Sequence, residues 1–396
     1  MSIIFSKVGI QQSILIFFSF LLLFILSRQV PFDSFSFIMN LSLGAILLLS
    51  FKDIANRLKR NSDFLLLFTV SVSLLVLAFF YSLFLQNDFG NVLRFFIVFG
   101  FVAISYFIEL PRKVLYIFVY LMVFHAVLII LFSLYLTLFF DIDSYLPIRF
   151  FFTEKGWGDV FTYNGWFYRI QIKGNALLPV AFFTTFYVSF PRRTLIRLLL
   201  FLGCIYAGNI AYIVVVFFFL VGFFLKTTSL NLLMKRVVVL LLFFIISVFP
   251  VYQYFIKETL ELKSDSSLPT RVDQVNVLMD DLSENDFYLI FGRGIGHTIE
   301  KISPYRDYRG NIYFELQSLY VLNQIGVLGF IFFIFYNIYM SLRLYNGGLL
   351  FFYLCYIIYA FTNPYIFDTN HIVVILLLNI IQSNEIKKSC RHYNLV

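Results

Sequence analysis

Six cations and one carboxylate stand where chemistry is easiest to place. Arg169 and Lys173 fall in one stretch between apolar runs, Arg271, Arg293, Arg306 and Arg309 fall in a second, and Glu315 closes the second stretch. Arginine offers a permanently charged, two-pronged donor that matches phosphate or carboxylate oxygens. Tyr168-Arg169-Ile170-Gln171-Ile172-Lys173-Gly174-Asn175 sets two cations just before an apolar helix, where free backbone N–H groups and fixed charge would together seat an anion. The alternative is an interfacial anchor. Glu315 stands directly before the long uncharged run that begins Leu316-Gln317-Ser318, so it is either a base in a partly desolvated cleft or a marker of where water begins. For Arg271, Arg306 and Arg309 the competing reading is solvated surface, since eleven acidic residues from Glu258 to Glu315 offer partners.

Phe291-Gly292-Arg293-Gly294-Ile295-Gly296-His297 contains a Gly-x-Gly-x-Gly string, which invites a nucleotide-binding label. No strand is expected before it and no helix is forced after it, so that label is rejected. The string reads instead as a flexible turn bringing backbone close to a ligand or to a membrane surface. His297, directly after it, is a minor candidate for proton transfer, against a structural or solvated role.

The elements that must position these residues are apolar helices. Of the 396 residues 61% are hydrophobic and only 13% charged, against roughly a quarter charged in soluble domains, which excludes an ordinary soluble enzyme. Uncharged or nearly uncharged segments fall at about 10–26, 35–51, 64–85, 92–110, 114–140, 175–190, 195–208, 210–225, 237–254, 316–339, 349–361 and 371–382. Many approach the roughly 20 residues a spanning helix needs. The expected fold is therefore an all-α polytopic membrane protein of about twelve transmembrane helices, a single membrane domain over 1–396 with long loops at 141–174 and 255–315 and a tail at 383–396. Residues 8–27 read as a first span with no cleavage site behind it.

Orientation follows from charge. Connectors holding Lys52, Arg57, Lys59 and Arg60, then Arg112 and Lys113, then Arg192, Arg193 and Arg197, then Lys226, Lys235 and Arg236 alternate with connectors nearly free of cations. The positive-inside rule makes them cytoplasmic, and Lys387, Lys388 and Arg391 place the C-terminus, and by parity the N-terminus, on the same side. The same rule requires 198–225 to be a tight hairpin turning at Ala207-Gly208-Asn209. Both long loops then lie opposite, and the second includes a helix-like run from Val272 to Leu282. The net charge of +8 reports orientation and not nucleic acid, because the cations sit at the ends of apolar runs. Cys204, Cys355 and Cys390 allow no disulfide framework and no metal-ligand spacing.

Together these positions resemble the O-antigen polymerase and O-antigen ligase superfamily of bacterial envelope glycosyltransferases. The resemblance rests on Arg169 to Asn175; on Arg271 before a helical run ending in Phe291 to Gly296; on Glu315 with Leu319, Gly326 and Gly329 at plus four, eleven and fourteen; and on the layout of helices and loops. Glu315-Leu316, in place of the His-Asn that ligases show there, leans toward the polymerase (Wzy) branch. Two departures stand against it. Ala207-Gly208-Asn209 lacks the arginine many relatives carry near the hairpin tip, and Val180 and Leu282 stand where a paired Arg-x10-Gly motif would require glycine.

The resemblance implies a GT-C-like protein of the bacterial inner membrane with both termini cytoplasmic. It would polymerise undecaprenyl-diphosphate-linked repeat units at the periplasmic face, without metal or cofactor. It implies Glu315 as base, Arg169, Lys173, Arg271 and Arg293 on the diphosphate, and His297, Arg306, Arg309 and Asn175 as further candidates. The expected partners are the lipid-linked oligosaccharide, membrane lipids, a chain-length regulator and a flippase. Alternatives are an O-antigen ligase, a capsular polysaccharide polymerase, or a lipid-linked oligosaccharide flippase or transporter. Transporters tend to show internal repeats and mid-membrane ionisable groups; no internal repeat is found here, and the non-cytoplasmic charge is concentrated in two asymmetric loops.

Overall fold

Asn61 and Asp88 set helix starts that the apolar runs alone leave open. In the computed structural model the Asn61 side chain accepts from the amides of Asp63 and Phe64, and that of Asp88 from Asn91, so each satisfies donors the first helical turn cannot. The structure describes residues 7–27, 35–141, 145–163, 167–225, 232, 257–312, 314–361 and 363–393. Among them are fourteen α-helices, one two-stranded antiparallel sheet and a 3-10 turn. Five helices are long and apolar enough to cross a membrane: Gly9–Ser27, Phe37–Arg60, Ser62–Phe84, Lys113–Phe139 and Gln317–Leu344. Phe89–Ser105, Ile210–Leu225 and Gly347–Phe361 are shorter apolar helices. The expected segment 237–254, and the connector with Lys226, Lys235 and Arg236, lie outside the described residues.

Contacts divide the chain into two units, with boundaries inside two helices and between Arg112 and Lys113. The first unit covers residues 1–45 and 113–265. Its centre is α5 (Lys113–Phe139), against which pack α1 (Lys7–Ser27), α7 (Leu178–Tyr187), α8 (Arg193–Tyr206) and the second strand of the hairpin β1 (Asp159–Tyr163) and β2 (Phe167–Gln171). Between α5 and β1 lies α6 (Leu146–Glu154), and α9 (Ile210–Leu225) follows α8. The boundary helix α2 (Ser36–Arg60) gives its first residues to this unit.

Two features of this unit bear on the sequence reading. The tight hairpin is present: α8 ends at Tyr206, Gly208 takes φ +68°, and α9 begins at Ile210 with the Asn209 side chain accepting from Ala211. The 175–190 segment differs from a full crossing. Its α-helix has ten residues, about 15 Å, and every side chain from Leu178 to Thr185 is buried, so it is a half-length helix enclosed by protein.

The second unit covers residues 46–112 and 266–396. It contains the rest of α2, the hairpin of α3 (Ser62–Phe84) and α4 (Phe89–Ser105), the C-terminal part of α10 (Lys257–Leu282), and the short α11 (Asp286–Phe291). The apolar helices α12 (Gln317–Leu344) and α13 (Gly347–Phe361) follow, then α14 (Thr369–Tyr393), which packs on α4. Asn379 of α14 donates to the carbonyls of Ser105 and Ile108, each at 2.9 Å, which ties α14 to the end of α4 and to the turn that follows it. Tyr106 donates to Asn337, and Tyr353 pairs with His371, so buried polar groups tie α4, α12, α13 and α14 together. α12 is broken by Gly326, at φ 65° and ψ 177°: its first turns are buried, whereas Leu328 and Ile331 beyond the break are about 60% exposed.

Candidate functional site

The loop expected at 255–315 is organised by α10. The run from Val272 to Leu282 is helical as expected, and the helix begins earlier, at Lys257, carrying Pro269 inside it. Gln274, Val277, Leu278 and Leu282 are buried at helical spacing, and Asp281 shares their stripe. A glutamine and an aspartate on the inward face of a helix must find partners, and those partners build the site.

Gln274 works at the polar end. Its Oε1 accepts the amide of Leu316 at 3.3 Å, and the Gln317 Oε1 accepts that of Phe314, also at 3.3 Å, so the residues on either side of Glu315 are held. One turn before Gln274, Arg271 donates from Nε to Glu315 Oε2 at 3.2 Å. Both members of this ion pair are 44% exposed, so substrate can reach them. Another face of α10 lines an open groove of about 400 Å³, with Leu268, Pro269, Val272, Asp273, Asn276 and Tyr305 around it. Asp273 is fixed by hydroxyls: Ser303 donates to it at 2.5 Å and Tyr308 at 2.8 Å. Burial, then the hydrogen bond to Asp273 and that residue's charge, pushes the Tyr308 phenol above its usual range.

Asp281 is the second centre. Arg293 donates to both of its oxygens, from Nε at 3.1 Å and from Nη2 at 2.8 Å, while Asn323 donates at 2.8 Å and His297 Nε2 lies 3.2 Å from Oδ2. Burial raises the Asp281 pKa, but the hydrogen bonds from His297, Arg293 and Asn323 outweigh it and hold the carboxyl well below its ordinary range. Arg293 also pairs with Glu284 at 2.6 Å and lies over the Tyr288 ring. Its charge is therefore spent inside the protein, which weakens its expected place on a diphosphate.

The glycine string is not an open turn. Arg293 N donates to Asn323 O and Gly294 N to Gln324 O, each at 2.9 Å, and these carbonyls are the ones the break at Gly326 removes from the α12 ladder. Asn87 Nδ2 bonds Arg293 O at 3.0 Å and Tyr81 donates to Gly292 O at 2.8 Å. The loop is thus seated on α12 and on the α3–α4 turn. Tyr320 donates to His297 O, which fixes the backbone of that histidine.

The remaining candidates separate. Arg309 pairs with its neighbour Asp307, whose carboxyl those hydrogen bonds hold down at about 2, and Arg306 is held through its backbone by Ser303. In the first unit Arg169 lies on strand β2 and not at a helix start. The reason is an alternation the apolar runs obscure: Tyr168 and Ile170 are buried on α5, while Phe167, Arg169 and Gln171 take the other face. Lys173 opens the 3-10 turn Lys173–Leu177 and is exposed. Asn175 is buried, with Oδ1 at 3.0 Å from His125 Nε2 and Nδ2 donating to Ile170 O at 2.7 Å, so its role is to hold the strand to the turn.

Asp281, Asn323, Gln274 and Asp273 were not among the expected residues. The signal for Asp281 was its position on the apolar stripe of α10, seven residues after Gln274. Nothing in a single sequence marks Asn323, since its partner lies 42 residues away.

The fold and site define a predominantly helical protein with, among the described residues, five helices long and apolar enough to cross a membrane. Compared with known proteins, the chain matches no family model, and no curated protein gives a significant match.

Proposed function

We propose that the chain is a membrane glycosyltransferase of the O-antigen polymerase (Wzy) kind, joining repeat units carried on undecaprenyl diphosphate at the periplasmic face of a bacterial inner membrane. The observation that carries this reading is the Arg271–Glu315 pair. It sets a cation for a leaving diphosphate beside a carboxylate for an attacking hydroxyl, and both are open to solvent. Cleaving a sugar from a diphosphate needs little acid assistance, because the leaving group is a weak base; its negative charge needs fixed cations. In the reaction the acceptor hydroxyl gives its proton to Glu315. Its oxygen bonds to the anomeric carbon, and the bond to the diphosphate oxygen breaks with its electrons, the new charge resting on Arg271.

This reading carries the expected layout with it: about twelve crossings, both termini cytoplasmic, and the 255–315 segment periplasmic. The test is deletion of the gene in its host. The expected result is lipid A core bearing single repeat units and no ladder. Core with no repeat unit at all would point to a ligase or a flippase and overturn the proposal.

A further inference from the structure

We propose that the open groove on α10 is a saccharide-binding site, which seats neutral sugar units against the ring of Tyr305 on a different face of the helix from Arg271. Helical spacing creates that face. At about 100° per residue, Val272, Asp273 and Asn276 stand roughly 100° to 200° around the axis from Arg271. They line the groove together with Leu268, Pro269 and Tyr305. Its volume of about 400 Å³ falls within the roughly 300–1,000 Å³ of small-molecule sites.

Tyr305 is exposed yet held. A tyrosine left 60% exposed beside a groove offers a flat apolar platform with a hydroxyl at its edge. The backbone under it is fixed, because the Ser303 hydroxyl accepts the amides of Tyr305 at 3.1 Å and Arg306 at 3.0 Å and donates to Asp273 Oδ2 at 2.5 Å. The turn is thereby clipped to α10. Tyr308, buried and stacked on Phe314, donates to the same Asp273 oxygen at 2.8 Å. Both hydroxyls use Oδ2, and among the described residues no group donates to Oδ1. One carboxylate oxygen holds the turn, and the other keeps its lone pairs for a ligand.

The lining chooses among ligands. Asp273 is the single charge among the six lining residues, so a phosphate or another anion is repelled. A lipid chain would strip water from that carboxylate without replacing its hydrogen bonds. A sugar satisfies both halves of the lining: the C–H face of its ring packs on Tyr305, Leu268, Pro269 and Val272, while its hydroxyls donate to Asp273 Oδ1 and pair in either sense with the exposed Asn276 amide. The identity of that saccharide as the growing polymer rests on the polymerase reading; the saccharide site does not. On that reading the groove holds the polymer between additions and sets its length, not the rate of bond formation.

Full-length protein in nanodiscs can be titrated with oligosaccharide released by mild acid from the host's own envelope polysaccharide and, separately, with a Gly-Ser decapeptide. The oligosaccharide should bind. Tyr305→Ala should weaken it about tenfold and Asn276→Ala about threefold, while Tyr305→Phe, which keeps the platform, should stay within about twofold of the parent. Met279→Ala, exposed on the same helix and outside the lining, should change nothing. No binding by the parent, or parent-like binding by both alanine variants, would overturn the site. So would a Tyr305→Phe variant as weak as Tyr305→Ala, because the ring would then not be the platform. Equal affinity for the decapeptide would overturn the assignment to a sugar. No turnover is measured, so a protein that binds oligosaccharide without joining repeat units keeps this site and loses the proposed function, and the converse result does the opposite.

Discussion

The backbones of Gly292 and Gly326 interlock: a Cβ on either residue would lie 2.5 Å from the amide nitrogen of the other. Both have positive φ, 82° and 65°. The contact lets the Arg293 and Gly294 amides cap the carbonyls freed where α12 breaks, and so places Arg293 and His297 on Asp281. The first prediction follows directly. Gly326→Ala or Gly292→Ala should cost roughly 3 kcal/mol, through strain at positive φ together with overpacking. Gly44→Ala, mid-helix with open space around it, should be neutral or slightly stabilising. Thermal unfolding of the three variants in one detergent checks this.

The Arg271–Glu315 pair lends itself to a clean test of function because it is exposed. Such pairs are worth about 0–1 kcal/mol to stability, so Glu315→Gln and Arg271→Ala should fold as the parent does. With purified protein and lipid-linked repeat units, Glu315→Gln should lose roughly 10² to 10⁴ in extension rate while retaining donor binding. Arg271→Lys should remain badly impaired, since an ammonium cannot reproduce a fork. Extension by the glutamine variant near the parent rate would remove Glu315 from the mechanism and turn the search to His297.

Asp281 predicts a pH signature of stability. Its pKa in the folded protein lies below the unfolded value of 3.8, so its contribution is complete above pH 3.8 and is lost as pH falls toward the lower folded value. Asp281→Asn should lower stability by about 3 kcal/mol at neutral pH, because it leaves the partly buried Arg293 without its principal partner. That gap should stay constant down to about pH 4 and close below it. A gap that widened on acidification would contradict the assignment.

Topology is testable with reporter fusions. Fusions at Lys226 and Lys387 should report cytoplasm, and fusions in 141–174 and 255–315 should report periplasm. Periplasmic activity at Lys226 would remove both the outward hairpin at Gly208 and the placement of the candidate site.

Much of the scaffold was legible in the chain itself, because a helix that meets lipid must be apolar over a continuous run, and such runs need no partner to be recognised. The helices at Lys113–Phe139, Ser62–Phe84 and Gln317–Leu344, the turn at Gly208-Asn209 and the helical run ending at Leu282 are local consequences of composition and turn chemistry. Tyr305 and Asp273 are a different case. Composition marks 255–315 as polar, but only the Ser303 hydroxyl, closing on Asp273 30 residues back, brings Tyr305 beside α10. The same holds for Asp281, whose partners Arg293, His297 and Asn323 lie 12 to 42 residues further along the chain. It holds as well for Gly326: its place eleven residues after Glu315 could be counted in the sequence, but its purpose is the backbone of Gly292. Local runs report what each segment must be dissolved in. Which charges meet is set by long-range closure, whose entropy is repaid only once the whole unit has folded.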